Sequence, residues 1–164
     1  MLCGNIMENK KLIWYFKLRD GLKVVEPNER LSKSYLEQAK SSLLRAEKDL
    51  NDNDFLWATV AIYYAEYYAL YSFLQRIGVK CENHACSILA AGILLGEDKT
   101  KTINEHKDKR IDAQYYIKVG QEASINAMIQ EAKLFVANFD EITANLSEDE
   151  IKKYREGISK KKTN

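Results

Sequence analysis

Apolar positions along this chain recur at intervals of three and four. One stretch is apolar on nearly every side. From Asp54 to Arg76 it reads DFLWATVAIYYAEYYALYSFLQR, broken only by Thr59, Glu66, Ser72 and Gln75. Its tyrosines fall at 63, 64, 67, 68 and 71, a helical spacing with no period-two alternation. A helix without a polar side is buried by neighbours on several faces. At about 1.5 Å per residue it is roughly 35 Å long, so other helices must wrap it.

Those helices are visible on either side. A helix over 31–50 buries Tyr35, Leu36, Ala39, Leu43, Leu44, Ala46 and Leu50, with Lys40, Arg45, Glu47 and Lys48 opposite. The Asn51 to Asp54 turn, made of capping residues, folds it back on the central helix as a hairpin. Gly78 suits the C-terminal cap of that central helix. A small-residue helix opens at Asn83 or His84 and stops at Gly96. Residues 97–109 (EDKTKTINEHKDK) lack apolar periodicity and read as a solvated loop, with at most one helical turn and with His106 on the surface. A helix from near Asp108 carries Arg110, Ile111, Ala113, Tyr115, Tyr116 and Ile117. A long amphipathic helix covers 122–146. Ser147 and Glu150 form a capping box for a short last helix, followed by a frayed tail from Lys160 to Asn164. The expected division is a 1–29 extension holding the aromatic cluster LIWYFKL, a 30–146 helical bundle, and a 147–164 helix with a basic tail.

Composition agrees. Seven glycines and one proline are too few for the turns of a β-sandwich or barrel, so the fold class is all-α. A net charge of +1 makes no global field for nucleic acid or membrane. Cys3, Cys81 and Cys86 form no disulfide framework and read as reduced thiols. No signal peptide is visible in Met1 to Met7. Glu66 and the tyrosine hydroxyls argue against a membrane span, and the expected location is cytoplasmic.

The ordered set of features resembles the HEPN domain family over roughly residues 33–145. It is carried by Ala39-Lys40 and Ala46-Glu47-Lys48-Asp49-Leu50, then Ala58-Thr59-Val60-Ala61-Ile62-Tyr63-Tyr64-Ala65 and Leu70. His84, Arg110-Ile111-Asp112-Ala113-Gln114-Tyr115 and Ala132-Lys133-Leu134-Phe135-Val136 complete it. The small stand-alone prokaryotic subgroup is the best match. The resemblance implies an up-and-down bundle of four or five helices, often a two-fold homodimer. Many members are metal-independent ribonucleases or toxins. Others bind nucleotides or nucleic acid, and several are encoded beside a small nucleotidyltransferase in toxin–antitoxin-like pairs.

The nuclease motif of that family is Arg, four to six intervening residues, then His. Counted from Arg110, the histidine positions hold Tyr115, Tyr116 and Ile117. An imidazole with a pKa of about 6.5 can accept a ribose proton near neutral pH; a phenol at about 10 cannot. The resemblance therefore supports Arg110 as a phosphate contact and a non-catalytic binding module. The alternative is a ribonuclease whose histidine is His84.

The candidate ligand-binding residues are Arg110, Tyr115, Tyr116, Glu66 and His84. Each has an ordinary structural reading beside it. Arg110 forms an ion pair with Glu66 or Asp112, or it grips phosphate through its fork. His84 caps or packs a helix start, or it meets an anion there. Glu66 must be paired, protonated or facing a cleft; Arg110, Arg76 or a phenol are its expected partners. Tyr115 and Tyr116 pack, or they stack bases beside Arg110. The run Lys152, Lys153, Arg155, Lys160, Lys161 and Lys162 reads as a solvated face. Two histidines without clustered acids give no metal site, and no cofactor is expected.

Overall fold

The computed structural model describes residues 2–19 and 21–162; of residues 2–6, 8 and 9 it describes the backbone alone. The elements in order are α1 (Leu2–Lys17), β1 (Lys23–Val24), α2 (Glu29–Asn51), α3 (Phe55–Arg76), β2 (Val79–Lys80) and α4 (His84–Leu95). A 3₁₀ turn (Glu97–Thr100) then leads into α5 (Lys101–Tyr116), α6 (Glu122–Ala144) and α7 (Glu148–Lys160). The architecture is an all-α bundle with one two-residue strand pair. No helix of the described residues is long and apolar enough to cross a membrane.

Local chemistry sets the helix ends. The Asn28 side chain accepts from Leu31 N at 2.9 Å and starts α2. Asp54 does the same for α3, accepting from Trp57 N at 3.3 Å. Between them Asn53 takes a left-handed φ of 60°, which asparagine tolerates better than most residues. Ser147 and Glu150 make the expected capping box.

α3 is the axis. On it Ala58, Ile62, Tyr63, Ala65, Glu66, Ala69, Leu70, Ser72, Phe73 and Leu74 are fully buried. Its neighbours reveal the directions of the chain. Tyr35 of α2 meets Tyr68 and Tyr71, while Ala46 joins Ala58 in a second cluster, so α2 runs antiparallel to α3. His106 and Arg110 of α5 meet Glu66 and Tyr63, so α5 is antiparallel too. On α6, Ile125 and Ile129 lie with Ile62, and Phe139 lies with Phe73, so α6 is parallel to α3. The four long helices thus alternate up and down.

Two expectations change. The 97–109 stretch is not a solvated loop: after one 3₁₀ turn, α5 begins at Lys101. With Thr100 of the preceding turn, its buried positions are Ile103, His106 and Ala113, a helical spacing in which half the residues are polar, so hydrophobicity alone does not reveal it. The last helix is also not solvated throughout its basic run. Arg155 turns inward, donating from Nη1 to the carbonyls of Val25 and Ile77, the latter at 3.1 Å.

That guanidinium closes the N-terminal segment onto the bundle. β1 pairs antiparallel with β2, Lys23 opposite Lys80 and Val24 opposite Val79. Leu12, Tyr15 and Leu22 enter the main core with Phe73 and Leu74. Gly78 takes a left-handed φ of 70°, and a Cβ there would overlap Arg155 and the Val25 carbonyl. The expected fraying at Thr163 and Asn164, and the thiol state of Cys3, lie outside the described residues.

Replacing Arg155 by Ala leaves two carbonyls without their charged donor. Such bonds contribute about 1.5–3 kcal/mol, so Arg155→Ala should lower stability by that order in urea unfolding. An unchanged midpoint would show that α7 does not hold the strand pair.

Candidate functional site

The N-terminus of α4 presents His84. Asn83 caps it, accepting from Cys86 N at 3.1 Å, and this fixes His84 as the first helical residue. Its imidazole lies on the face of Tyr67, with ring centroids 3.8 Å apart and planes 17° apart. Its Nδ1 is 2.9 Å from the Tyr63 hydroxyl, and Tyr64 approaches edge-on at 6.0 Å. Burial, and then the nearby positive charge of Arg110, pull the His84 pKa below its ordinary value. The ring is therefore neutral at pH 7. Burial pushes the Tyr63 phenol up to about 12, so it keeps its proton. If the phenol donates to Nδ1, the ring proton sits on Nε2. If Nδ1 donates, Nε2 is an open acceptor.

Arg110 comes from α5 to the other side of the same phenol. Its Cζ stands 4.7 Å from the Tyr63 ring centroid. Its Nη1 donates to Gln114 Oε1 at 2.9 Å, and its Nε is buried without a hydrogen-bond partner among the described residues. Neither expected ion pair forms: Glu66 is taken by a histidine, and Asp112 is exposed. A cation over an aromatic face gains about 0.5–1 kcal/mol at exposed sites, less than a bidentate anion offers. The structure therefore brings Arg110 and His84 together around Tyr63, with the buried Arg110 Nε unpaired among the described residues.

Glu66 does not wall this cleft. It is fully buried at 0% exposure, and its partner is His106, not Arg110, Arg76 or a phenol. Glu66 Oε1 lies 2.7 Å from His106 Nδ1, and Glu131 Oε2 of α6 lies 3.0 Å from His106 Nε2. His106 itself is 1% exposed, which corrects its expected surface position. Glu66 Oε2 has no partner among the described residues. Burial raises the Glu66 pKa, and the His106 bond only partly offsets that rise. For His106, burial pulls down, but the bonds and charges of Glu66 and then Glu131 outweigh it, and the pKa is raised. With both ring nitrogens engaged and no access to solvent, His106 cannot serve as a catalytic base.

Tyr115 and Tyr116 stand away from the aromatic cluster, 73% and 64% exposed. They occupy the last turn of α5, where Ile117 takes a left-handed φ of 55°. This conformation is costly for a β-branched residue. Cys81 and Cys86 are buried free thiols. No group of three or more His, Cys, Asp or Glu among the described residues is arranged to hold a metal ion.

Sequence reasoning singled out Arg110 and His84 but not what joins them. Tyr63 and Gln114 served only as family signatures, and Tyr67 had no role. The tyrosine spacing was the available signal: 63 and 67 are one helical turn apart, so both face one neighbour. His106 was discoverable as a core position of a polar helix, between Ile103 and Arg110.

A family model, that of the HEPN domain, matches residues 32–142. No curated protein and no solved structure matches the chain.

The neighbourhood of His84 has a direct check. In Arg110→Ala the His84 pKa, followed by NMR titration, should rise toward the ordinary histidine value. An unmoved titration would show that the guanidinium is not beside the imidazole.

Proposed function

Because the chain belongs to the HEPN domain family, we propose that it is a non-catalytic binding module that holds a nucleotide or RNA phosphate at Arg110. The observation that carries this reading is the half-buried guanidinium of Arg110, which has no carboxylate partner among the described residues and donates from Nη1 only to Gln114 of its own helix. A phosphate oxygen completes such a fork. His84, at the start of α4, adds an N–H group or an acceptor on the far side of Tyr63. Tyr115 and Tyr116 extend exposed rings from the same helix for base stacking. Family membership is what supports the wider setting: a cytoplasmic homodimer paired with a small nucleotidyltransferase in a toxin–antitoxin-like system. Glu66 has no place in ligand contact, because nothing outside the core can reach it.

A second reading is favoured by one observation. Arg110 and a neutral His84 share Tyr63, which is the pair a metal-independent ribonuclease needs for charge stabilisation and proton transfer. In this reading His84 replaces the histidine that the family motif places after Arg110.

Fluorescence anisotropy with a labelled single-stranded RNA separates the outcomes. Charge-assisted bonds of about 1.5–3 kcal/mol correspond to a loss of about 10- to 100-fold in affinity for Arg110→Ala. An unchanged Kd would remove Arg110 from the site. Cleavage of the same RNA in EDTA, abolished in both Arg110→Ala and His84→Ala, would replace the binding module by the ribonuclease.

A further inference from the structure

His106 and Arg110 stand one turn apart on α5, and Glu66 and Tyr63 one turn apart on α3. The two helices are antiparallel. The contacts Glu66 to His106 and Tyr63 to Arg110 are therefore successive rungs of one seam. The rungs differ in strength. Arg110 is held by a ring face and by Gln114 of its own helix, and neither contact fixes how α5 sits along α3. His106 is gripped at both ring nitrogens, by Glu66 of α3 and Glu131 of α6. Directional charge-assisted bonds set register more firmly than a ring face does.

The bridge has a definite proton count. Each of its two N···O contacts, at 2.7 and 3.0 Å, needs one proton between two acceptors. A neutral imidazole carries one N–H, so a second proton must be bound, on the ring or on a carboxyl. When that proton leaves, a nitrogen lone pair faces a carboxylate oxygen at hydrogen-bonding distance, and one arm of the bridge is lost.

We propose that Glu66 and His106 are positioning residues for the phosphate site, holding α5 in the register that sets Arg110 over Tyr63, and that loss of their shared proton weakens phosphate binding as pH rises. This rests on the reading of Arg110 as the phosphate contact. The charged groups that face His106 are Glu66 from α3, Glu131 from α6 and, one turn along its own helix, Arg110. The sign follows from the direction of the shifts. Glu66 and His106 are both raised, so the folded state binds the proton more tightly than the unfolded chain. The bridge is intact below about pH 6.5, the unfolded histidine value, and is lost as pH climbs through the raised folded value. His84 is shifted the other way and Tyr63 titrates only near 12, so neither accounts for a loss in that window.

The test measures affinity for an oligoadenylate RNA against pH, because neither a phosphodiester nor an adenine base titrates in that range. The labelled oligoadenylate is titrated from pH 6 to 9.5 into wild type, Glu66→Gln and His106→Gln, with circular dichroism confirming the fold at each pH. Wild type should lose affinity several-fold across the alkaline half. Glu66→Gln should bind like wild type at pH 7 and stay flat, because an amide N–H supplies the missing proton to a neutral imidazole. His106→Gln cannot reach both carboxylates and should bind about tenfold more weakly at every pH, also without a slope. A flat wild-type profile, or an unchanged slope in Glu66→Gln, would overturn the proposal. A ligand-free arm separates this from failure of the phosphate reading. The ring-current-shifted Arg110 side-chain resonances over Tyr63 should move with pH in wild type and stay fixed in Glu66→Gln. If they do so while Arg110→Ala binds RNA normally, the register claim stands and the phosphate reading falls. If they do not move in wild type, the register claim falls by itself.

Discussion

A carboxylate at the centre of an apolar helix is the constraint on which the rest of this structure depends. Glu66 has no solvent contact, and an isolated ionised carboxylate there is too costly to persist. The fold answers with His106, which reaches across from α5, and with Glu131, which reaches in from α6 and remains 56% exposed. One imidazole thus links three helices and connects a buried charge to the surface. Breaking a buried pair by removing one partner costs about 3–5 kcal/mol, a large fraction of the stability of a domain of this size.

From that node the candidate site follows by helix geometry. One turn along the seam, Arg110 lies over Tyr63, and on the other side of Tyr63 the hydroxyl meets His84 at the start of α4. The stacked Tyr67 holds the imidazole flat. Burial keeps the phenol protonated and the imidazole neutral. Among the described residues the site therefore has one fixed positive charge and no negative one in contact with it, the balance a phosphate group requires.

Much of this was legible in the sequence where apolar period and capping chemistry agree. The all-round apolar character of 54–76 announced a central helix, and Asn83, Gly96 and Ser147 marked helix ends that the structure keeps. The polar run 97–109 was misread because the 3₁₀ turn buries a threonine and α5 buries a histidine where an apolar residue is expected. The same misreading hid the partner of Glu66. A buried ion pair between residues forty positions apart leaves no local signal in one sequence. Arg110 and His84 were recognisable singly from the family pattern, but their meeting at Tyr63 depends on tertiary register.

The most direct measurement is the protonation of His106, read from long-range proton–nitrogen correlation of ¹⁵N-labelled protein at pH 7. Two protonated ring nitrogens, or one ring proton with the other nitrogen strongly hydrogen-bonded to an acid, is the predicted result. A neutral imidazole with one free, unbonded nitrogen would contradict the shared-proton bridge and, with it, the register that places Arg110.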